Sequence, residues 1–131
     1  MKCQLLVVDD NKMMRHFLTQ LLGKKHIVIT SSSAEEALTQ LQTNEQIDLV
    51  LTDYNLEGMS GLSLLKRIKA SPQLSSIPVV ILSGEGQSEN RIKCLQANAA
   101  DFVNKPFNPL ELELKISRLL EDRTVANEAA N

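Results

Sequence analysis

The sequence predicts an α/β fold: a doubly wound, five-stranded parallel sheet with helices on both faces. Three observations carry this. Five short runs rich in Leu, Ile and Val alternate with five stretches whose apolar residues recur at helical spacing. The joints between them are short and carry cap and turn residues. Four of the five runs end at an acid, a hydroxyl or a lysine, and parallel strands would gather those ends at one edge of the sheet. Right-handed crossovers restrict the topology further.

The first run, Gln4–Val8, is continuously apolar and stops at Asp9 and Asp10, hence a buried strand with an acid pair at its end. Asn11 is the expected N-cap of a helix reaching about Leu22. Met14, Phe17, Leu18, Leu21 and Leu22 share one face of it, and Met13 and Met14 read as core or edge packing. Gly23 is expected to close it as the C′ residue, with Lys24 and Lys25 near its negative end. The second strand is expected over 26–30. Ser33 and Glu36 form a capping box ahead of a helix that carries Ala37, Leu38 and Leu41.

A polar link, 43–46, leads into the central run, Ile47 to Leu51, broken only by Asp48. It delivers Asp53 where it stops. Asn55, Glu57, Gly58, Ser60 and Gly61 follow as loop or cap residues. Ser60 caps a helix carrying Leu62, Leu64, Leu65 and Ile68, which Ser71-Pro72 ends. The fourth strand is expected over 77–82, with Pro78 tolerated at its start and Ser83 at its end. Residues 84–86 read as a flexible loop without the spacing of a phosphate-cradling loop. Ser88 is expected to cap a helix containing Ile92, Leu95 and Ala97. A short fifth strand, 101–103, precedes Lys105. Asn108 caps the last helix, with Pro109 at its first position, Glu111 in its first turn, and Leu112, Ile116, Leu119 and Leu120 toward the core. After Glu121 no apolar face remains. Residues 1–121 are therefore expected to form the domain, and 122–131 a frayed tail or the start of a linker.

The chain of 131 residues is sized for one domain with a real core. Its net charge of −2 offers no basic footprint for nucleic acid or an anionic membrane. No apolar run approaches the roughly 20 residues of a membrane-spanning helix, and the N-terminal run is too short for a signal peptide. The expectation is a cytoplasmic protein. Cys3 and Cys94 lack metal-ligand spacing and read as reduced packing residues. His16 and His26 have no partner at ligand spacing and read as structural or surface residues.

Asp9, Asp10, Asp53, Ser83 and Lys105 meet at one sheet edge if the strands are parallel. Open α/β sheets place their ligand crevices there. Three carboxylates in one crevice repel each other unless a cation joins them. A hard, oxygen-ligated divalent ion such as Mg²⁺ suits one or two carboxylates, waters and a phosphoryl oxygen, and with Lys105 it leaves the filled site neutral. A carboxylate placed beside such an ion and a lysine can accept a phosphoryl group as an aspartyl phosphate.

The segments VVDD, LTDYNLEGMSG, VVILSG and DFVNKPF stand in the order and at the spacing of a known family. From about Gln4 to Glu121 the chain resembles the response-regulator receiver domains of two-component signalling, closest in form to the chemotaxis type. The resemblance implies a flavodoxin-like (βα)5 fold with sheet order 2-1-3-4-5, an order given for this fold in general. It also implies Asp53 as phosphoacceptor. Mg²⁺, or Mn²⁺ in its place, would be held by Asp10 directly, Asp9 through water, Asp53 and the Asn55 carbonyl. Ser83 would be the hydroxyl that turns toward the phosphoryl group, Lys105 its ion-pair partner, and Phe102 the aromatic switch. The Lys105-Pro106 bond would be cis. The implied partners are a histidine kinase or histidine phosphotransfer protein, and a downstream protein target or an effector domain beyond this chain. A homodimer formed on phosphorylation is a further possibility. Direct nucleic-acid or membrane binding is not implied. The signalling face would comprise the fourth helix, fifth strand and fifth helix, where Arg91, Lys93, Asp101, Glu111 and Lys115 lie.

Three positions depart from the common pattern. Leu56-Glu57 replaces a frequent Met-Pro pair, which bears on phosphate lifetime and kinase choice. Ser60 replaces a frequent Asp but still caps. Phe102 replaces a commoner Tyr and lacks its hydroxyl, which leaves its inward form accessible before phosphorylation. Two other readings stay open: an aspartate-nucleophile phosphatase, and an interaction module independent of phosphorylation. The first usually needs a second Asp two residues after the nucleophile and a cap domain, but position 55 is Asn and the chain has no room for a cap. On the leading reading the chain is not an enzyme beyond its own phosphorylation and dephosphorylation.

Overall fold

The computed structural model describes residues 2–44, 46–84 and 88–130, with backbone alone for 125–130. Five strands alternate with five helices: β1 (Gln4–Val8), α1 (Lys12–Leu22), β2 (Ile27–Ser31), α2 (Ala34–Thr43), β3 (Ile47–Asp53), α3 (Gly61–Ala70), β4 (Val79–Ser83), α4 (Ser88–Gln96), β5 (Asp101–Asn104) and α5 (Pro109–Ala130). All neighbouring strands are parallel and the order is β2-β1-β3-β4-β5. The fold is therefore the doubly wound (βα)5 sheet that the alternation implied.

The pleat explains the two cores. Successive strand side chains point to opposite faces. Leu6, Val8, Val50, Val79, Ile81 and Phe102 pack with Ala37 and Leu41 of α2, Leu64, Leu65 and Ile68 of α3, and Cys94 of α4. Leu5, Val7, Leu49, Leu51, Val80 and Leu82 pack on the other face with Leu18 and Leu22 of α1 and Leu112, Ile116 and Leu120 of α5. Strands buried on both sides cannot alternate apolar with polar, hence the continuous apolar runs. Both cysteines are free thiols.

The caps follow the sequence. Asn11 accepts from the Met14 N–H, Ser33 from Glu36, and Ser60 from Ser63, while the Asn108 side chain accepts from Leu110 and Glu111. The Ser33 box is half closed, because Glu36 reaches the Ser32 hydroxyl at 3.0 Å.

Several expectations are corrected. Gly23 ends α1 with φ −70°, right-handed like the helix itself, so it is no left-handed C′ residue. β2 begins at Ile27 and ends at Ser31, and β4 begins after Pro78, whose carbonyl accepts the Val50 N–H. Met13 is 83% exposed and Phe17 is 43% exposed, so neither belongs to the core. Ser88 is the first residue of α4, not its cap. The same helix exposes Ile92 and Leu95 and buries Cys94, as expected of a packing cysteine. It closes on Asn98 at φ 70°, with the Ala99 N–H returning to the Cys94 carbonyl at 3.0 Å. The loop expected at 84–86 lies, from Glu85 on, outside the described residues. Finally, α5 runs on to Ala130 instead of stopping near Glu121. Among the described residues no helix is long and apolar enough to cross a membrane.

Candidate functional site

Strand register assembles the site. Val8 pairs with Thr52, so the next residues, Asp9 and Asp53, fall side by side at the carboxyl edge of the two central strands. Asp53 pairs with Leu82, and Ser83 pairs with Asn104, which brings Ser83 and Lys105 to the same edge. Three bonds carry the ladder past the strand ends: the Tyr54 N–H donates to the Leu82 carbonyl and the Lys105 N–H to the Ser83 carbonyl, each at 2.7 Å, and the Asp9 N–H to the Ser31 carbonyl at 3.1 Å. The Lys105-Pro106 peptide is cis.

The Lys105 Nζ lies 3.3 Å from Asp53 Oδ1 and 3.7 Å from Asp9 Oδ2. Asp9, Asp10 and Asp53 each offer a carboxylate oxygen within 4.8 Å of the others. Asp9 and Asp53 are buried, whereas Asp10 is exposed. The Asp9 Oδ1 accepts the Asn11 N–H at 2.8 Å, which ties the acid to the start of α1. Its Oδ2 is buried without a hydrogen-bond partner among the described residues. Burial pushes the Asp53 carboxyl above its ordinary range; Lys105 pulls it back, Asp9 pushes it up again, and the Asn55 N–H favours the charged form.

This donor set suits a divalent cation. The ligands are hard oxygens, two are held close by the strands, and one buried carboxylate oxygen accepts no hydrogen bond from the described residues. Ser83 is buried at the end of β4, and Asn55 is exposed just beyond Asp53. Thus Asp9, Asp10, Asp53 and Lys105 lie together with Ser83 and Asn55 at their margin.

Phe102 is buried, 2% exposed, with its ring turned into the α3–α4 side of the sheet. The Arg91 guanidinium lies 5.9 Å from the ring centroid and donates to the Phe102 carbonyl at 3.1 Å. The inward form is the one present. His16 and His26 lie outside the acid cleft.

Sequence reasoning missed four contributors. Met13 and Phe17, with Met14, form an apolar wall beside the acids, enclosing with them and Lys105 an open cleft of about 520 Å³. Arg15 donates to the Asp9 carbonyl at 2.8 Å and steadies the acid pair from α1. Apolar residues one helical turn apart, shortly after an acid pair, were the available signal for the wall.

Comparison with known proteins agrees with this geometry. The family model described as "Response regulator receiver domain" matches residues 5–117. The two-component response regulator ORR7 of Oryza sativa subsp. japonica is 37% identical over 117 residues, 88% of this chain and 56% of that protein. ORR3 of Oryza sativa subsp. indica is 35% identical over 116 residues, 88% of each. The chain thus spans little more than half of one relative and most of another. A crystal structure of a receiver domain protein from Clostridium thermocellum superposes with TM-score 0.88 at 28% identity, covering 95% of this chain and 98% of that one. Matched along nearly its whole sheet and helix array, this chain belongs to the response regulator receiver domains of two-component signalling.

Proposed function

We propose that the chain is a phosphorylation-controlled switch working in the cytoplasm. Asp53 takes a phosphoryl group from the phosphohistidine of a histidine kinase or histidine phosphotransfer protein, and the face formed by α4, β5 and α5 reports it. One observation carries the reading: Asp9, Asp10, Asp53 and Lys105 converge at one sheet edge, with the Lys105 ammonium 3.3 Å from Asp53.

In the transfer an Asp53 carboxylate oxygen attacks phosphorus, the P–N bond breaks, and the imidazole leaves with the electron pair. Asp53 must be ionised to attack. Burial opposes that and Lys105 favours it. Lys105 then faces the added phosphoryl charge as a compact ammonium. Ser83 is assigned to a phosphoryl oxygen, through a charge-assisted hydrogen bond stronger than a neutral one. Asp9, Asp10, Asp53 and the Asn55 carbonyl would hold Mg²⁺, or Mn²⁺. When bound, the ion neutralises carboxylate and phosphoryl charge that would otherwise repel.

Phe102 already lies inside, so an inward swing of its ring is not available to carry the signal. The output face is instead read through α4 and through the ion pairs of β5 and α5. Lys115 bridges Asp101 at 3.3 Å and Glu111 at 3.9 Å within the chain, and a phosphorylation-dependent homodimer would exchange such pairs across its interface. The phosphatase reading finds Asn55 where its acid would stand.

The test is labelling by a small phosphodonor such as phosphoramidate with Mg²⁺. Wild type should gain one hydroxylamine-labile phosphoryl group and Asp53→Asn none. Undiminished labelling of Asp53→Asn would overturn the assignment.

A further inference from the structure

α4 is the most lightly held helix around the site. It buries only Cys94, while Ile92 and Leu95 face solvent. Among the described residues, two polar contacts supplement that anchor. Arg91 donates to the Phe102 carbonyl, tying α4 to β5. The Tyr54 hydroxyl donates to Asn90 Oδ1 at 3.2 Å, and among the described residues this is the side-chain hydrogen bond that joins the end of β3 to α4.

Tyr54 immediately follows Asp53, and its backbone is pinned on both sides. Its N–H donates to the Leu82 carbonyl at 2.7 Å, and its carbonyl accepts the Gly61 N–H at 2.9 Å. Its ring is partly buried against the cluster that holds Phe102 and Cys94. The hydroxyl is therefore a fixed point, set by the same strand end that carries Asp53. Asn90, in the first turn of α4, is the movable member.

We infer that Tyr54 is a positioning residue: its hydrogen bond to Asn90 latches α4 in the resting arrangement, and release of that bond accompanies the response to charge at Asp53. The inference rests on the proposed phosphoacceptor function and adds the element that sets its resting position. Phe102 is already buried, so the resting bias falls on α4 itself. A part-buried neutral hydrogen bond of ordinary net strength holds such an equilibrium by about two- to tenfold. A phenylalanine at position 54 keeps the ring and its packing and removes only that bias.

The test has two arms on the full chain. In the first, amide hydrogen exchange is measured on the unmodified protein for wild type, Tyr54→Phe, Asn90→Ala and the double variant. Exchange across α4 should rise about two- to tenfold in each single variant, and the double should equal the singles, because one bond is lost in all three. Amides of β1 and β3 should not change, whereas a purely structural role would raise exchange throughout the molecule. In the second arm, beryllofluoride with Mg²⁺ stands in for the phosphoryl group, and NMR shifts are followed. The shifts of α4 in free Tyr54→Phe should lie part-way toward those of wild type with the mimic. Unchanged α4 exchange in both single variants, or additive effects in the double, would overturn the latch. If the mimic leaves wild-type Asp9, Asp53 and Lys105 unperturbed, the phosphoacceptor reading fails, and the exchange arm still decides the latch.

Discussion

Asp53 sits under opposing demands. β3 buries it, which favours the neutral acid, while the proposed transfer chemistry needs the carboxylate. Its folded pKa is raised from 3.8, burial being the largest cause. A carboxyl raised in the folded state binds more protons there than in the unfolded chain. Stability therefore falls as pH rises from the ordinary value through the raised one, and the penalty is fully present above that window. Asparagine at this position removes the slope. In chelator, Asp53→Asn should melt a few degrees above wild type at pH 7, and the gap should close as pH falls below the ordinary carboxylate value. Melting curves across pH check this. A gap that stays constant, or wild type melting higher at pH 7, would mean that pairing with Lys105 outweighs burial. Both acids of the first pair were legible in the sequence. That Asp9 is the buried member and Asp10 the exposed one was not, because it depends on where β1 meets α1.

At the scale of elements, the joint between β3 and α3 positions Asp53, the proposed acceptor. Gly58 adopts φ +79°, a conformation that suits glycine in the turn. Gly61 has a different reason. A Cβ there would lie 2.3 Å from the Asp53 carbonyl oxygen and 3.0 Å from the Tyr54 Cα. Those are backbone atoms held by the β3–β4 ladder, so they cannot move aside cheaply. Gly61→Ala should cost about 1–3 kcal/mol by denaturant unfolding and slow phosphoryl labelling at Asp53. Ser60→Ala, which removes only the cap beside it, should cost about 1 kcal/mol and leave labelling near wild type. Equal behaviour of the two variants would refute the close-approach account. The caps were readable because they use local residue types at fixed offsets. The role of Gly61 was not, since the atoms it must clear belong to the end of another element.

Across the whole molecule, the far edge of the sheet is held by the part of α5 expected to be a tail. Arg123 donates to the Ser76 carbonyl at 2.7 Å, and its Nε lies 4.0 Å from Asp48 Oδ1. Asp48 in turn accepts the Gln4 N–H at 2.8 Å, so the contact reaches β1. Lys69 secures the same region through the Ser75 and Ile77 carbonyls at 3.0 and 2.8 Å. Arg123→Ala should lower stability by about 0.5–1.5 kcal/mol, read by chemical denaturation. Phosphoryl labelling should not change, because these contacts lie at the sheet edge opposite Asp53. No loss of stability would show that the extension of α5 adds nothing to the domain.

By itself, the sequence determined the alternation of strands and helices, the parallel sheet, most caps, and the set of chemical residues at the strand ends. These follow from local periodicity and from acids, a hydroxyl and a lysine placed where apolar runs stop. Tertiary structure decided what depends on neighbours distant in sequence. It exposed Met13 and Phe17 as a wall of the acid cleft, although Phe17 shared the apolar face of its helix and Met13 read as core or edge packing. It left Ile92 and Leu95 of α4 facing solvent and made Cys94, read from the sequence as a packing residue, the buried contact of that helix. It carried α5 past its last apolar turn through polar contacts of Arg123, which leave no hydrophobic period to detect. Periodicity reports that a face is apolar, but only packing determines whether another element covers it.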